Sequence, residues 1–240
     1  QTILDSTTTL RASALVFDND YKHPVVLAKE LATMDVLSDG RVEIGLGAGW
    51  MISDYEQAGI QYDRPGVRID RFVEGLHIIK SAMGEGPFSH EGKHYTITDY
   101  NGFPKPVQGP HPPVIIGGGG KRVLTIAAQQ ADIVGVNGSL HAGVIGPDAI
   151  ATMTGEVITD KVALVADVAV AGDVHPMPVV VQPQAAWRDE RGRPAPEVEV
   201  YVGRDLQRGV GAADAVATLV AETARRGDAA ELPGTHPRHR

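Results

Sequence analysis

The alternation of short apolar segments with longer amphipathic ones is the sequence feature that most constrains the fold. An apolar run of strand length at 12–17 is followed by a helical segment at Pro24–Leu37, in which Leu27, Leu31 and Met34 recur at helical spacing. Repeated strand–helix units place the strands parallel to one another, because each crossover helix returns the chain to the same edge of the sheet. The sequence therefore predicts an α/β fold, either a (βα) barrel or an open doubly wound sheet.

The later part of the chain repeats this order. The predicted elements are a strand at 42–46, a helix at 66–83, a strand at 113–116, a helix at Lys121–Gln130 and a strand at Ile133–Val136. Residues 84–113 interrupt the pattern, since they are rich in Gly, Pro and His and contain only a short strand-like piece at 95–97. A connection of this length is uncommon unless it serves a function.

The composition changes near Gly172. Residues 173–240 contain no Ile, Phe or Lys, but they carry seven of the 16 prolines and nine of the 15 arginines. We therefore divide the chain into a (βα) barrel portion at 1–172 and a divergent, poorly structured tail at 173–240. Because the tail lacks large apolar anchors, its removal is expected to change the stability little.

Charge and composition exclude several classes of function. The net charge of −8 and the pI near 5.5 argue against a nucleic-acid partner, since phosphate binding needs a basic surface. The chain has no cysteine, and its nine histidines lack the H-E-x-x-H spacing of a zinc helix. No apolar run reaches membrane length and no signal-peptide pattern is visible, so we expect a cytoplasmic protein without a membrane or metal partner.

The strongest local motif joins the predicted strand at 113–116 to the helix that begins at Lys121. Four consecutive glycines separate the two elements: Gly117, Gly118, Gly119 and Gly120. Glycines allow backbone N–H groups to face an anion, and a helix N-terminus that opens with Lys121 and Arg122 adds positive potential. The motif favours a phosphate site, although a flexible turn without a ligand has the same glycine content.

A second glycine-rich turn follows the predicted strand at 42–46. This turn consists of Gly47, Ala48, Gly49 and Trp50. It lies at the carboxyl end of a strand, where α/β folds bind ligands, but it is not a full G-x-G-x-x-G motif. A nicotinamide site is not favoured, because Asp63 and Asp70 flank or lie in a helix, where we expect them and their arginine neighbours to be surface charges. The alternatives are a loop that faces a ligand and a tight turn in which Trp50 is a packing residue.

Five motifs occur in a fixed order along the chain. They are His23-Pro24, Leu37-Ser38-Asp39-Gly40-Arg41, the turn at 45–50, Gly66-Val67-Arg68, and Pro104-Lys105-Pro106-Val107-Gln108 leading into 112–118. In this order they resemble the luciferase-like monooxygenase superfamily, and in particular its coenzyme F420-dependent oxidoreductase branch. The resemblance covers roughly residues 10–137 and continues more loosely to about residue 171.

The resemblance implies a TIM-type barrel that transfers a hydride between coenzyme F420 and a small organic substrate. FMN, in a two-component monooxygenase, is the alternative cofactor. Matched by position, Leu15, Val16, Phe17 and Asp18 correspond to a bulged strand behind the deazaflavin ring. The turn at 47–50 corresponds to a loop that faces the cofactor, and residues 117–120 with Lys121 correspond to the cradle of its phosphate. The resemblance identifies no catalytic residues, and it leaves a homodimer open.

Two departures from the family pattern bear on activity. The family barrel begins with two βα units before the strand that corresponds to 12–17, whereas only residues 1–11 precede that strand here. The closing strand and helices of the family are not recognisable after Gly172. The resemblance therefore predicts an incomplete barrel that is truncated at its N-terminus, and a non-catalytic remnant is the alternative to an active enzyme.

Overall fold

The computed structural model describes residues 1–140, 143–172, 177–181 and 198–202. The helices are α1 (Thr2–Asp5), α2 (Pro24–Leu37), α3 (Ile52–Ala58), α4 (Pro65–Met83), α5 (Lys121–Gln130), α6 (Pro147–Ala151) and α7 (Gly155–Ala171). The strands are β1 (Phe17–Asp18), β2 (Ile44–Gly47), β3 (Phe88–Glu91), β4 (Thr96–Tyr100), β5 (Val114–Gly118), β6 (Ile133–Val136), β7 (Met177–Val181) and β8 (Val198–Val202). A short 3₁₀ turn at Asn19–Tyr21 follows β1.

The central sheet contains six of these strands in the order β1-β2-β5-β6-β7-β8. Neighbouring strands are parallel from β1 to β7, whereas β8 pairs antiparallel with β7. The parallel pairing confirms the predicted α/β class, because the helices between these strands return the chain to the same edge of the sheet. Strands β3 and β4 form a separate antiparallel hairpin.

Helix α2 shows how the local sequence sets the ends of the elements. Pro24 occupies its first turn, where a missing N–H removes no helical hydrogen bond, and the His23 ring accepts a hydrogen bond from the Val25 N–H at 3.4 Å. The helix ends at Leu37 with Ser38 as its C-cap residue, and the chain reverses through Gly40, whose φ of 77° favours glycine. These capping signals explain why the predicted and observed bounds of α2 agree.

The hydrophobic core is formed by the sheet together with two pairs of packed helices, α2 with α4 and α5 with α7. Helix α4 buries the apolar residues that its periodicity predicts: Phe72, Leu76, Ile79 and Met83. The central strands bury their own apolar side chains almost completely: Ile44, Leu46, Val114, Ile116, Val134 and Val136. This packing fixes the carboxyl ends of the strands, so that the loops after them start from defined positions. Among the described helices, none combines the length and apolarity needed to cross a bilayer.

The segment at 84–113 contains the hairpin β3–β4 rather than an open loop. Its turn is held against α4 by the Glu74 carboxylate, which accepts hydrogen bonds from the backbone N–H groups of Lys93, His94 and Tyr95 at 2.9–3.2 Å. The sequence predicted only a short strand at 95–97. Strand β3 escaped prediction because half of its residues are exposed and its sequence, FSHE, has little of the apolar alternation that marks a strand.

Strands β7 and β8 lie within the segment that the sequence predicted to be a poorly structured tail. Met177 and Val179 of β7 are 4% and 0% exposed, and Val179 pairs with Val134 in the centre of the sheet. The burial of β7 argues against the expectation that the whole segment contributes little to stability, because small apolar side chains suffice to anchor a strand that is buried between neighbours. The rest of the predicted tail lies outside the described residues.

Candidate functional site

A cleft of about 510 Å³ lies at the carboxyl ends of β1, β2, β5 and β6. Every residue that the sequence predicted for the site lines it: Leu15, Val16, Phe17, Asp18, Gly47, Ala48, Gly49, Trp50, Gly117, Gly118, Gly119, Gly120 and Lys121. Three segments that are far apart in the sequence thus form one concave surface. The carboxyl edge of a parallel sheet is where the strand-to-helix loops converge, which explains the meeting of these segments.

The first wall of the cleft is an irregular strand that leads into β1. Ala12 lies opposite Val42 and Phe17 lies opposite Leu46, so the first strand holds one more residue than β2 between these positions, which is the arrangement of a β-bulge. The peptide bond between Leu15 and Val16 within this segment is cis. The bulged segment brings the backbone at 14–16 close to β2.

Two glycines of β2 permit that close approach. A Cβ atom on Gly45 would lie 1.8 Å from the Ala14 carbonyl oxygen, and one on Gly47 would lie 2.5 Å from Cγ2 of Val16. Both distances are far below van der Waals contact, so a side chain at either position would push the bulge away from β2. Packing of β2 against the bulged segment therefore requires glycine at positions 45 and 47, whether or not a ligand occupies the cleft.

Asp18, at the end of β1, belongs to a cluster that the sequence did not predict. The buried Tyr55 hydroxyl lies 2.9 Å from Oδ2 of Asp18 and 3.0 Å from Oδ2 of Asp20. A Cβ atom on Gly49 would lie 1.8 Å from that hydroxyl, so only glycine fits there. Burial raises the pKa of Asp18, and burial together with the two carboxylates raises the pKa of Tyr55. No local motif links Tyr55 to Asp18, because 37 residues separate them.

The Asp20 carboxylate continues this cluster outward. Nη1 of Arg71 lies 3.0 Å from Oδ2 of Asp20, which is 1% exposed, and the other end of the guanidinium bonds to Asp63. Asp63 lies just before α4, as expected of a charge at the helix entry, but its side chain and that of Arg71, each 20% exposed, belong to a partly buried network rather than to the open surface. Asp70, by contrast, forms an exposed ion pair with Arg122, as expected of a surface charge.

Arg68 is a second residue of the cleft that sequence reasoning did not assign to the site. It is 4% exposed, its guanidinium lies 4.1 Å from the Tyr62 ring centroid, and its Nη2 donates to the Gly49 carbonyl at 3.3 Å. The Tyr62 hydroxyl donates to the Trp50 carbonyl at 2.9 Å. Arg68 and Tyr62 therefore fix the backbone of the turn at 49–50, which leaves Trp50 half-buried on the wall of the cleft.

The opposite wall is the glycine run, residues 117–120, and the start of α5. Gly120 is the N-cap residue and has no side chain with which to cap the helix, so among the described residues the N-cap leaves the first N–H groups of α5 available to a ligand. Two glycines of the run also serve packing: a Cβ atom would lie 2.5 Å from Cγ1 of Val123 at Gly118 and 2.0 Å from the Gly138 carbonyl at Gly119. The run thus combines tight packing with an exposed helix N-terminus, which is a favourable position for an anion.

A model of the luciferase-like monooxygenase family matches residues 2–230, and the chain belongs to this family. It is 28% identical over 142 residues to an FMNH(2)-dependent dimethylsulfone monooxygenase of Pseudomonas putida. This match covers 59% of the chain and 39% of that relative. It is 29% identical over 110 residues to an F420-dependent glucose-6-phosphate dehydrogenase of Amycolatopsis mediterranei, which covers 46% of the chain and 32% of that relative. In structure it resembles the monooxygenase RslO1 of Streptomyces bottropensis, with a TM-score of 0.63, 21% identity, and coverage of 94% of this chain and 61% of that one.

These comparisons confirm the resemblance and the TIM-barrel class that the motifs predicted. The family contains flavin-dependent and F420-dependent oxidoreductases and monooxygenases, and both kinds occur among the relatives of this chain. The chain spans about two fifths or less of the length of the curated relatives named above.

Proposed function

We propose that the cleft binds coenzyme F420 and that the chain serves hydride transfer between this cofactor and a small organic substrate. The observation that carries the proposal is the convergence of the bulged segment 15–18, the turn 47–50 and the glycine run on one cleft. Its volume, about 510 Å³, falls within the roughly 300–1,000 Å³ of typical ligand pockets.

The residues around the cleft suit a cofactor with a flat ring and an anionic tail. The start of α5, whose N-cap residue is a glycine, and the exposed Lys121 offer N–H groups and positive charge to a phosphate. Leu15, Val16 and Ala48 offer an apolar surface on the opposite side, and Leu15 is 57% exposed. Such a division between an apolar wall and a cationic end matches the two chemical parts of a flavin or deazaflavin nucleotide.

The chemistry of hydride transfer comes from the deazaflavin ring when it is bound, and the protein supplies binding, orientation and exclusion of water. The glycine run and Lys121 would hold the tail. The bulged segment would set the depth of the ring, since Gly45 and Gly47 fix the bulge against β2. Tyr55 and Arg68 would keep the end of β1 and the turn at 49–50 in place through their hydrogen bonds.

Titration with coenzyme F420, followed by absorbance and fluorescence, tests the proposal. The informative variant is Lys121→Glu, because an acidic residue in the first turn stabilises a helix by about 0.3–1 kcal/mol but repels a bound phosphate. We expect about tenfold weaker cofactor binding with an unchanged or higher melting temperature. Lys29→Glu, which reverses an exposed charge of α2 outside the cleft, is the matched control and should bind as the wild type does.

FMN is the second candidate cofactor, and the similarity to an FMNH(2)-dependent relative favours it. The same titration with FMN distinguishes the two, since tighter binding of FMN would assign the chain to flavin-dependent chemistry. A folded wild-type protein that binds neither compound would contradict the proposal and support the alternative of a non-catalytic remnant.

A further inference from the structure

Lys161 is a buried cation behind the cleft. The residue is 8% exposed, and its ammonium donates hydrogen bonds to the carbonyl oxygens of Asn137 at 2.7 Å and Thr152 at 3.0 Å. Within the described part of the chain, no carboxylate forms an ion pair with it. These two carbonyl oxygens accept from two of the three N–H donors of the ammonium, but they carry no net charge, so the described residues leave the unit charge without a counter-ion.

The position of this charge relates it to the glycine run. Asn137 directly follows β6 and lines the cleft, and its N–H donates to the Gly118 carbonyl at 2.9 Å. The Ser139 hydroxyl donates to the Gly119 carbonyl at 3.0 Å. The turn 137–139 is therefore bonded to the glycine run on one side, and on its other side the Asn137 carbonyl receives the ammonium of Lys161.

A buried ammonium without a counter-ion is unfavourable unless something nearby compensates it. Burial lowers the pKa of Lys161, as expected for a charge in such surroundings. An anion in the adjacent part of the cleft would compensate the charge, and in turn the charge would stabilise the anion, because a buried ammonium is screened less by water and salt than a charge at the surface.

Lys80 offers a contrast at the other end of α5. Its ammonium donates to the Gln130 carbonyl at 2.6 Å, and burial lowers its pKa as well. Asp132 opposes that effect, because its negative charge favours the protonated lysine. Lys80 therefore has an acidic neighbour within the fold and lies away from the cleft. Among the described residues, the partners of Lys161 are carbonyl oxygens, and one of them belongs to the turn that bonds to the glycine run.

We propose that Lys161 is a positioning residue that makes the glycine run selective for a phosphate-bearing ligand, through the turn 137–139 and through its uncompensated charge. This inference rests on the proposed function, since it assigns the phosphate of the cofactor to the glycine run. It extends the site to a residue that does not touch the ligand.

Two ligands that differ only in a phosphate test whether Lys161 favours phosphate binding or only stabilises the fold. A structural defect should weaken the binding of both ligands, whereas loss of the charge should weaken the binding of the phosphorylated ligand alone. FMN and riboflavin form such a pair; coenzyme F420 and its chromophore differ in the whole phosphate-bearing tail and serve as a second, less strict comparison. For Lys161→Met we expect about tenfold weaker binding of the phosphorylated member and a change of less than about twofold for the other member. Lys161→Arg, which keeps the charge, should restore most of the preference. Lys80→Met, the matched control, should leave the ratio of the two affinities unchanged.

If Lys161→Met does not fold, Lys161→Gln replaces it, because an amide can still donate to the Asn137 carbonyl without a charge. Equal weakening of both ligands, or an unchanged preference for phosphate in a folded variant, would overturn the proposal. Failure of the proposed function is seen separately, as a wild type that binds no cofactor. Inorganic phosphate is then the probe: a rise in melting temperature that depends on Lys161 supports the inference, and no rise overturns it.

Discussion

The amino and carboxyl edges of the central sheet differ in how their polar groups are paired. At the amino edge, the buried Asp35 carboxylate accepts hydrogen bonds from the backbone N–H groups of Val107 and Gln108 and from the Gln108 side chain, at 2.7–3.1 Å. Asp132 likewise accepts from the Val114 N–H at 2.8 Å. Each of these carboxylates accepts from backbone N–H groups of the fold itself, so the hydrogen bonds at this edge connect one element to the next.

At the carboxyl edge the pairing is incomplete. The one hydroxyl proton of Tyr55 is shared between the carboxylates of Asp18 and Asp20, although Asp20 also pairs with Arg71 and its N–H donates to Asp18. Nε of Arg68 is buried without a hydrogen-bond partner among the described residues, and Lys161 has no acidic partner there. The difference indicates that the amino edge serves stability, whereas the carboxyl edge keeps charges and N–H groups available for a ligand.

The largest change in the free energy of unfolding is expected from removing β7 and β8, which belong to the central sheet. A chain that ends at residue 172 should unfold with a free energy at least about 3–6 kcal/mol lower than a chain that ends at 202, because Met177 and Val179 each contribute about 1.5–3 kcal/mol on burial. Urea unfolding of the two truncated chains measures the difference. Equal stabilities would show that β7 and β8 do not support the sheet.

Asp35→Ala should damage the amino edge alone. Loss of the carboxylate leaves the Val107 and Gln108 donors buried without an acceptor, and we expect a loss of about 3–5 kcal/mol in the free energy of unfolding. The folded fraction should bind cofactor with unchanged affinity. The exposed Asp167 of α7 provides the control, since Asp167→Ala should change the stability by less than about 0.5 kcal/mol. A loss of cofactor affinity in folded Asp35→Ala would contradict the separation of the two edges.

The comparison also explains what could be predicted from the sequence. Glycines between a strand and a helix are local signals, and for that reason the glycine run and the turn 47–50 could be assigned to one edge in advance. Arg68 lines the cleft, whereas Tyr55 and Lys161 act on it through Asp18 and Asn137, and no spacing rule links these helical residues to partners that lie 19–37 residues away. Strand β7 was not predicted for another reason. Its sequence, MPVVV, has the same Pro and Val content as the segment around it, so its composition did not mark it as a buried strand.

Trp50 tests the carboxyl edge by an optical signal. The chain has two tryptophans, and Trp187, which lies outside the described residues, can be replaced in a Trp187→Phe background. Cofactor should then quench the Trp50 emission with a midpoint equal to the binding constant measured by cofactor absorbance. Trp50→Ala should weaken binding by about 1–2 kcal/mol, the scale of a lost aromatic contact. Binding without a change in emission would place Trp50 outside the site.

The smallest effect concerns two carboxyl groups whose pKa values move in opposite directions. In Glu74, outside the cleft, hydrogen bonds from three backbone N–H groups lower the pKa below its ordinary value of 4.5, although burial acts against them. The folded state then favours the ionised form, so this contribution to stability is present above the ordinary pKa and is lost as the pH falls through the folded value.

In Asp18, burial raises the pKa above 3.8. The folded state favours the protonated form, so that contribution is present at low pH and is lost as the pH rises through the raised value.

Unfolding measured against pH should therefore separate Glu74→Gln from Asp18→Asn. We expect the advantage of the wild type over Glu74→Gln to grow by about 1 kcal/mol as the pH rises from about 3 to about 7, since the hydrogen bonds to the carboxylate strengthen when it ionises. The advantage over Asp18→Asn should shrink across the same interval, because Tyr55 can still donate to the amide oxygen while the ionisation is removed. If both advantages grew with pH, Asp18 would behave like a carboxylate that serves only the fold. That result would contradict the view that polar groups at the carboxyl edge, Asp18 among them, are incompletely paired.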